Sequence, residues 1–332
     1  MKQLIQKLTE TYSPSGYESA IREVIRAEVE PLADEIRVDP LGSLIARKGQ
    51  LGKNGKRIML AAHMDEIGLI ATHIDENGFI RFASLGYVRP LSLLSARVQF
   101  ANGSEGVVSI EGPDFRVEKI PAYTDCFIDV GATSAKDCPV KIGDVATFKR
   151  PFLDLGGRLV AKSMDDRIGC AVVIETLRNL KSSPHELYFV FTTQEEVGTR
   201  GAGAAAFGID PQIGLAVDGT LTGDTPRNKS MAISLGKGPA VKVKDTGMLA
   251  DPRVVEWMCS TAEKKHIPYQ REILEGGSTD ARPIQVTRSG VPAGCLSIAT
   301  RYVHTSSEMV DYEDVKNSVK LLVAMMSSPV NL

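Results

Sequence analysis

No C-x-x-C pair occurs in this sequence, and its five cysteines, Cys126, Cys138, Cys170, Cys259 and Cys295, are odd in number. That argues against a disulfide framework and against a cysteine-built structural zinc site, and points to reduced, mostly buried thiols in a cytoplasmic protein. Long runs of one charge are missing too, and the formal net charge of the 332 residues is −2. Such a balance argues against nucleic acid or an anionic membrane as partner. No apolar stretch is long enough to cross a bilayer. The opening segment "MKQLIQKLTETYS" is amphipathic and broken by lysines, so it has no signal-peptide core. Internal repeats and low-complexity tracts are absent as well. What remains is ordinary soluble composition, 43% hydrophobic and 24% charged, with enough chain to bury a large core.

Periodicity divides the chain into three textures. The first stretch reads as two helices. Ser15 to Glu18 has the S-x-x-E spacing of a capping box, and the helix after it stops near Pro31. "KRIMLAAHMDEIG" then reads as a buried strand, because its apolar run is continuous rather than alternating. Between 68 and 157, helical spacing disappears, and short strands such as "GFIRFASLG", "ARVQFAN", "GVVSIEG" and "DVATFKR" are separated by turn residues. This predicts a small antiparallel barrel. After it, strands and helices alternate again, which implies a largely parallel sheet covered on both faces. The expected architecture is therefore α/β: a mixed, largely parallel sheet sandwiched by helices, built from 1–67 and 158–332, with an inserted β-barrel at 68–157.

Five of the buried strands deliver a metal-capable side chain at their carboxyl ends. They end in His63 and Asp65, Asp165 and Asp166, Glu195 and Glu196, Asp218, and His304. In open α/β sheets this edge is where ligands bind. Singly, each has a bland reading: a buried structural histidine, a helix-capping "DD", a solvated "EE", a turn aspartate, a surface histidine. Together they place several carboxylates at one desolvated edge, where they repel one another unless cations intervene. Two imidazoles with several carboxylates suit zinc, cobalt or manganese. A carboxylate shared between two ions leaves open positions for water, as catalysis requires.

The segments "AAHMDEIG", "SMDDRIGC", "TTQEEVGTRGA", "VDGTLTGDTP", "GGSTDA" and "TRYVHTSSEMVD" resemble the successive motifs of the TET-type dinuclear metallo-aminopeptidases, which include glutamyl and deblocking aminopeptidases and some members labelled endoglucanase. The resemblance covers essentially the whole chain. It implies one divalent ion at His63 and Asp218, another at Glu196 and His304, and Asp165 bridging both, with zinc or cobalt ahead of manganese. It further implies Glu195 as general base, Asp65 as the carboxylate behind His63, and a cis peptide between Asp165 and Asp166. Peptides are the implied substrates, and dimers joining into a dodecamer through the barrel are the implied assembly. Two departures, "HTSSE" after the last histidine and Arg282 in "TDARPIQ", touch no ligand but bear on the pocket.

Adjacent glutamates then acquire a reason. Neighbouring residues on an extended chain point different ways, so Glu196 can face a metal while Glu195 faces the attacking water. Other readings remain open at this point. A deacylase or carboxypeptidase on the same centre would need a cation such as Arg282 or Arg301 for a substrate carboxylate. An endo-glucanase would need two carboxyl groups and no metal. "GAGAAA" from Gly201 matches a dinucleotide fingerprint, although two preceding glutamates would repel a pyrophosphate. Lys242 and Lys244 are candidates for favouring an acidic N-terminal side chain.

Overall fold

Two amphipathic helices, α1 (Lys2–Glu10) and α2 (Ser19–Val29), lead the chain in the computed structural model, which describes residues 1–112, 120–228, 231–330 and 332. The capping box expected at Ser15–Glu18 does not form. Glu18 occupies the N-cap without a side-chain bond to the helix. Ser15 Oγ donates instead to Asp65 Oδ2 at 2.6 Å, and Glu18 Oε1 accepts from the Gly16 and Gln194 N–H groups. A buried carboxylate is a stronger claim on a hydroxyl than a helix end that water can reach.

Strands β1 (Glu35–Val38), β2 (Leu44–Lys48) and β3 (Arg57–His63) open the main sheet. The chain then leaves it for β4 (Gly68–Ile74), β5 (Ile80–Leu85), β6 (Arg97–Phe100), β7 (Glu105–Ile110), β8 (Cys126–Asp129) and β9 (Val145–Phe148). These six close into a barrel of order β4-β5-β8-β7-β6-β9, antiparallel throughout. Alternate residues such as Leu69, Val98, Phe100, Ile128 and Phe148 fill its interior, as period-2 strands require.

The return to the sheet begins with β10 (Leu153–Asp154) and β11 (Arg158–Ala161). Strand β10 pairs with β11, so the last residues of the 68–157 segment lie with the large sheet and not with the barrel. There follow α3 (Met164–Asn179), β12 (Glu186–Thr192), α4 (Arg200–Ile209), β13 (Ile213–Thr220), β14 (Ala240–Lys244), α5 (Pro252–Lys264), β15 (Gln270–Ile273), α6 (Ala281–Gln285), β16 (Ala293–Arg301), β17 (Glu308–Asp311) and α7 (Tyr312–Met326). Among the described residues the sheet has eleven strands, in the order β1-β2-β12-β3-β13-β16-β17-β11-β10, with β14 and β15 branching from β16.

Its centre, β12-β3-β13-β16, is parallel, and its flanks are antiparallel. The continuous apolar run of β3 has a direct cause. Ile58, Leu60 and Ala62 belong to the core cluster on the face that α3 covers, and Met59 and Ala61 to the cluster on the face that α4 covers. Both faces of the strand are dry, so no polar residue alternates. The "GAGAAA" segment lies in α4, where a Cβ on Gly201 would meet the Thr193 backbone nitrogen and oxygen at 2.6 and 2.5 Å. That glycine serves close helix–strand packing. Four of the five cysteines are buried and all are free. No helix among the described residues is long and apolar enough to cross a membrane.

Candidate metal centre

Four parallel strands end side by side at one sheet edge, and β11, antiparallel to β17, runs the same way. His63 is the last residue of β3 and Asp218 lies near the end of β13. Glu195 and Glu196 follow β12, and His304 follows β16. Asp165 opens α3 just past β11, with non-helical backbone at Asp165 and Asp166 and a cis peptide between them. The edge forms a cavity of about 480 Å³, lined by His63, Asp165, Glu195, Glu196, Asp218 and His304. Asp65 lies behind it, fully buried.

Asp165 sits between the two imidazoles. Its Oδ1 lies 3.1 Å from His63 Nε2, and its Oδ2 lies 3.4 Å from His304 Nε2. His304 Nε2 is also 3.3 Å from Glu196 Oε2, and His63 Nε2 is 3.9 Å from Asp218 Oδ1. Two donor groupings have atoms within 4.8 Å of one another: His63 with Asp165 and Glu196, and His63 with Asp166 and Asp218. Asp166 differs from the rest. Its two oxygens accept from the His63 N–H (3.2 Å) and the Gly169 N–H (3.0 Å), so it ties the end of β3 to the start of α3. Glu196 Oε1 is buried without a partner among the described residues, and the Glu195 carboxylate faces the cavity.

The charges here are under strain without cations. Burial, followed by the charge of Asp165, pushes Glu196 and Asp218 well above the ordinary carboxylate range. Burial does the same to Glu195 despite His63 nearby. Burial also pushes Asp165 up, but bonds from His304 and His63 outweigh it and hold the group below the usual range. Burial would lower His63, and its bonds to Asp165 and Asp65 reverse that. Four carboxylates line the cavity with two imidazoles, and although Arg89, Lys242 and Arg282 line it too, none of these three forms an ion pair with the four among the described residues. The buried, unpartnered Glu196 Oε1 costs free energy unless something binds it. The donor set therefore fits divalent cations, and its imidazole and carboxylate make-up fits those of the zinc class.

The structure adds supports that sequence reading did not find. Asp65 has more partners than the His63 ring. Its Oδ1 is 3.4 Å from His63 Nδ1 and accepts from the Glu195 N–H at 3.0 Å, while Oδ2 accepts from the Glu196 N–H at 3.1 Å. His63 Nδ1 is nearer the Asp65 carbonyl, at 3.2 Å. Glu308 clamps two more residues by their backbones, accepting from the His304 N–H at 2.6 Å and the Asp165 N–H at 2.9 Å. The quoted motif "TRYVHTSSEMVD" contained Glu308, but nothing local marked it. Gln194 (φ 56°), Tyr302 (φ 62°) and His304 (φ 62°) are held in the left-handed region, which costs non-glycine residues about 1–3 kcal/mol each and clusters at functional sites.

Two of the proposed substrate-reading cations are already committed. Lys242 is neither solvated nor free: it is fully buried and paired with Glu272 at 2.7 Å. Arg301 is held by Asp224 through two bonds, at 2.9 and 2.8 Å. Arg282 lines the cavity, and so does the paired Lys242. The barrel supplies a wall. Gly86 (φ +75°) lies so close to Glu196 that a Cβ there would meet its Cβ and Oε2 at 3.1 Å. The Tyr87 ring centroid is 6.0 Å from that of His304.

Residues 42–321 match the model of the family described as M42 glutamyl aminopeptidase. The chain is 36% identical to the lysyl aminopeptidase of Pyrococcus furiosus over 98% of this chain and 96% of that one. Among solved structures, an aminopeptidase of the archaeon Desulfurococcus kamchatkensis superimposes with a TM-score of 0.94 at 37% identity, covering 98% and 94% of the two chains. The TET1 peptidase of Pyrococcus horikoshii, described as able to assemble into a tetrahedron or a large octahedral shell, gives 0.88 at 32% identity over 98% and 99%. With a metal-competent centre at the sheet edge and likeness along nearly its whole length, this chain belongs to the M42 aminopeptidase family, a family of metal-dependent hydrolases of peptide bonds.

Proposed function

We propose that the centre holds two divalent ions, one at His63 and Asp218, the other at Glu196 and His304, with Asp165 shared. The observation that carries this is the split of Asp165, one oxygen toward each histidine. A bidentate carboxylate between two imidazoles supports a bridge better than a single site. Bound there, the ions supply Lewis acidity toward the scissile carbonyl and make water easier to deprotonate. The residues do the rest. Glu195 lines the cavity, and its carboxylate has no protein partner among the described residues. It takes the proton of the attacking water and returns it to the leaving amine. Asp65 fixes the backbone of both glutamates, which keeps base and ligand at constant separation. Asp166 and Glu308 hold the backbones of His63, Asp165 and His304 so that the donors stay convergent.

Zinc or cobalt are the ions this donor set favours, with manganese next. Peptides with a free N-terminus are the substrates, and a cytoplasmic setting agrees with the free cysteines. Assembly through the barrel is part of the same proposal. The TET1 relative is described as able to assemble into a tetrahedron or a large octahedral shell, which is the support for this part of the reading. The test is Asp165→Asn. Metal content and arylamide hydrolysis should both collapse, and the wild type, stripped by a chelator, should recover with zinc, cobalt or manganese. Two ions at full occupancy in Asp165→Asn would end the bridging assignment.

A further inference from the structure

A second cavity, of about 250 Å³, adjoins the one at the metal centre: it shares Arg89 and Leu221 with it and is lined also by Thr222, Thr225, Asn228, Thr300 and Tyr302. The two differ in chemistry. The first is lined by four carboxylates together with Arg89, Lys242 and Arg282. The second has no acidic side chain among its described lining residues; Arg89 is its one charge, set among hydroxyls. Arg301, next in sequence to Thr300 and Tyr302, adds no free charge, because Asp224 holds it. Arg89 has no carboxylate partner among the described residues.

Its backbone is anchored. Gly86 rests on Glu196 and Ile67. Val88 is fully buried, and its carbonyl accepts from the Tyr123 hydroxyl. The Arg89 carbonyl accepts from the Ser92 N–H and Oγ at 2.9 and 2.7 Å. A fixed segment of the barrel thus places Arg89, without a carboxylate partner among the described residues, on the wall that the two cavities share.

We propose, resting on the aminopeptidase reading of the metal centre, that the second cavity receives the peptide downstream of the scissile bond and that Arg89 binds a carboxylate there. An N-terminal exopeptidase seats the first residue at its catalytic centre, so the remainder of the substrate needs a continuous path away from it. A guanidinium among hydroxyls matches a carboxylate through charge-assisted, bidentate bonds. That carboxylate comes from the C-terminus of a short peptide or from an acidic side chain after the cleaved bond. The first source would make the enzyme a processor of di- and tripeptides.

The experiment compares three tripeptides on the metal-loaded, full-length protein: Leu-Gly-Gly, Leu-Gly-Gly amide and Leu-Asp-Gly amide. The free acid should exceed its amide in kcat/KM by about tenfold, the scale of one charge-assisted hydrogen bond, mainly through KM. Arg89→Gln should bring that ratio toward one, and Arg89→Lys should keep part of it. Efficient cleavage of the aspartyl amide, lost in Arg89→Gln, identifies the side chain as the source. Equal cleavage of all three by the wild type overturns the Arg89 assignment and leaves the aminopeptidase reading standing. No cleavage of these, or of the same three peptides begun with lysine or glutamate, overturns both.

Discussion

Asp65→Asn separates two roles for one buried carboxylate. In the wild type, Oδ1 accepts from the Glu195 N–H at 3.0 Å, and Oδ2 accepts from the Glu196 N–H at 3.1 Å and from Ser15 Oγ at 2.6 Å. Asparagine keeps the shape but has one accepting atom. If its nitrogen takes the Oδ1 side, it faces the Glu195 N–H; on the Oδ2 side it faces the Glu196 N–H. Either way at least one charge-assisted bond is lost and a donor meets a donor. Loss of one such bond costs about 1.5–3 kcal/mol, which is roughly ten- to a hundredfold in rate if the transition state feels all of it. Arylamide turnover and bound metal should be measured over a range of metal concentrations. Were Asp65 only the partner of the His63 ring, the variant would bind metal weakly and recover at high concentration. Since Asp65 also fixes the Glu195–Glu196 backbone, kcat should stay low with the sites filled. Turnover within about twofold of wild type at saturating metal would refute this reasoning.

The two glutamates should fail differently. Glu195→Gln should retain metal and lose about 10²–10⁴ in kcat, while Glu196→Gln should lose metal and recover in part at high concentration; the opposite pattern reverses the roles. Lys242→Met strands the buried Glu272 and should cost about 3–5 kcal/mol in urea unfolding, with much of it restored by adding Glu272→Leu. A single variant as stable as wild type would contradict the pairing. His185 is neutral in the fold: Nδ1 accepts from the Lys56 N–H, and Nε2 donates to the Ser328 carbonyl. Burial lowers its pKa, so its contribution to stability is complete above the unfolded value of about 6.5 and declines as pH falls through that region. In metal-free protein, unfolding midpoints at about pH 7.5 and about pH 5.5 should differ more for wild type than for His185→Gln. Equal acid sensitivity would exclude this histidine as the source.

Much of the sheet could be read along the chain because its signals are local. The unbroken apolar run of β3 follows from burial on both faces, and the short alternating strands after Gly68 follow from a barrel with one dry side. The strand-end donors were legible for the same reason: each follows a run long enough to mark a strand, and parallel strands share a carboxyl edge. The supports were not legible, because they join residues far apart. Ser15 reads as a helix cap until Asp65 arrives, and nothing local marks Glu308 until its oxygens are seen on two backbone amides. Lys242 alternates like a solvated strand residue, and only tertiary packing shows Glu272 beside it. Gly86 and Arg89 have meaning only once the barrel is docked.

The five convergent side chains come from positions 63 to 304, and this dispersal has a consequence for the life of the chain. A nascent polypeptide that has not reached His304 lacks one corner of the centre, however well its earlier strands have folded. On the proposed ligand set, catalytic competence waits until synthesis has passed the last central strand. An enzyme that trims exposed N-termini would be hazardous as an active fragment inside a cell. Scattering the proposed donors across the sheet thus ties activity to a completed fold.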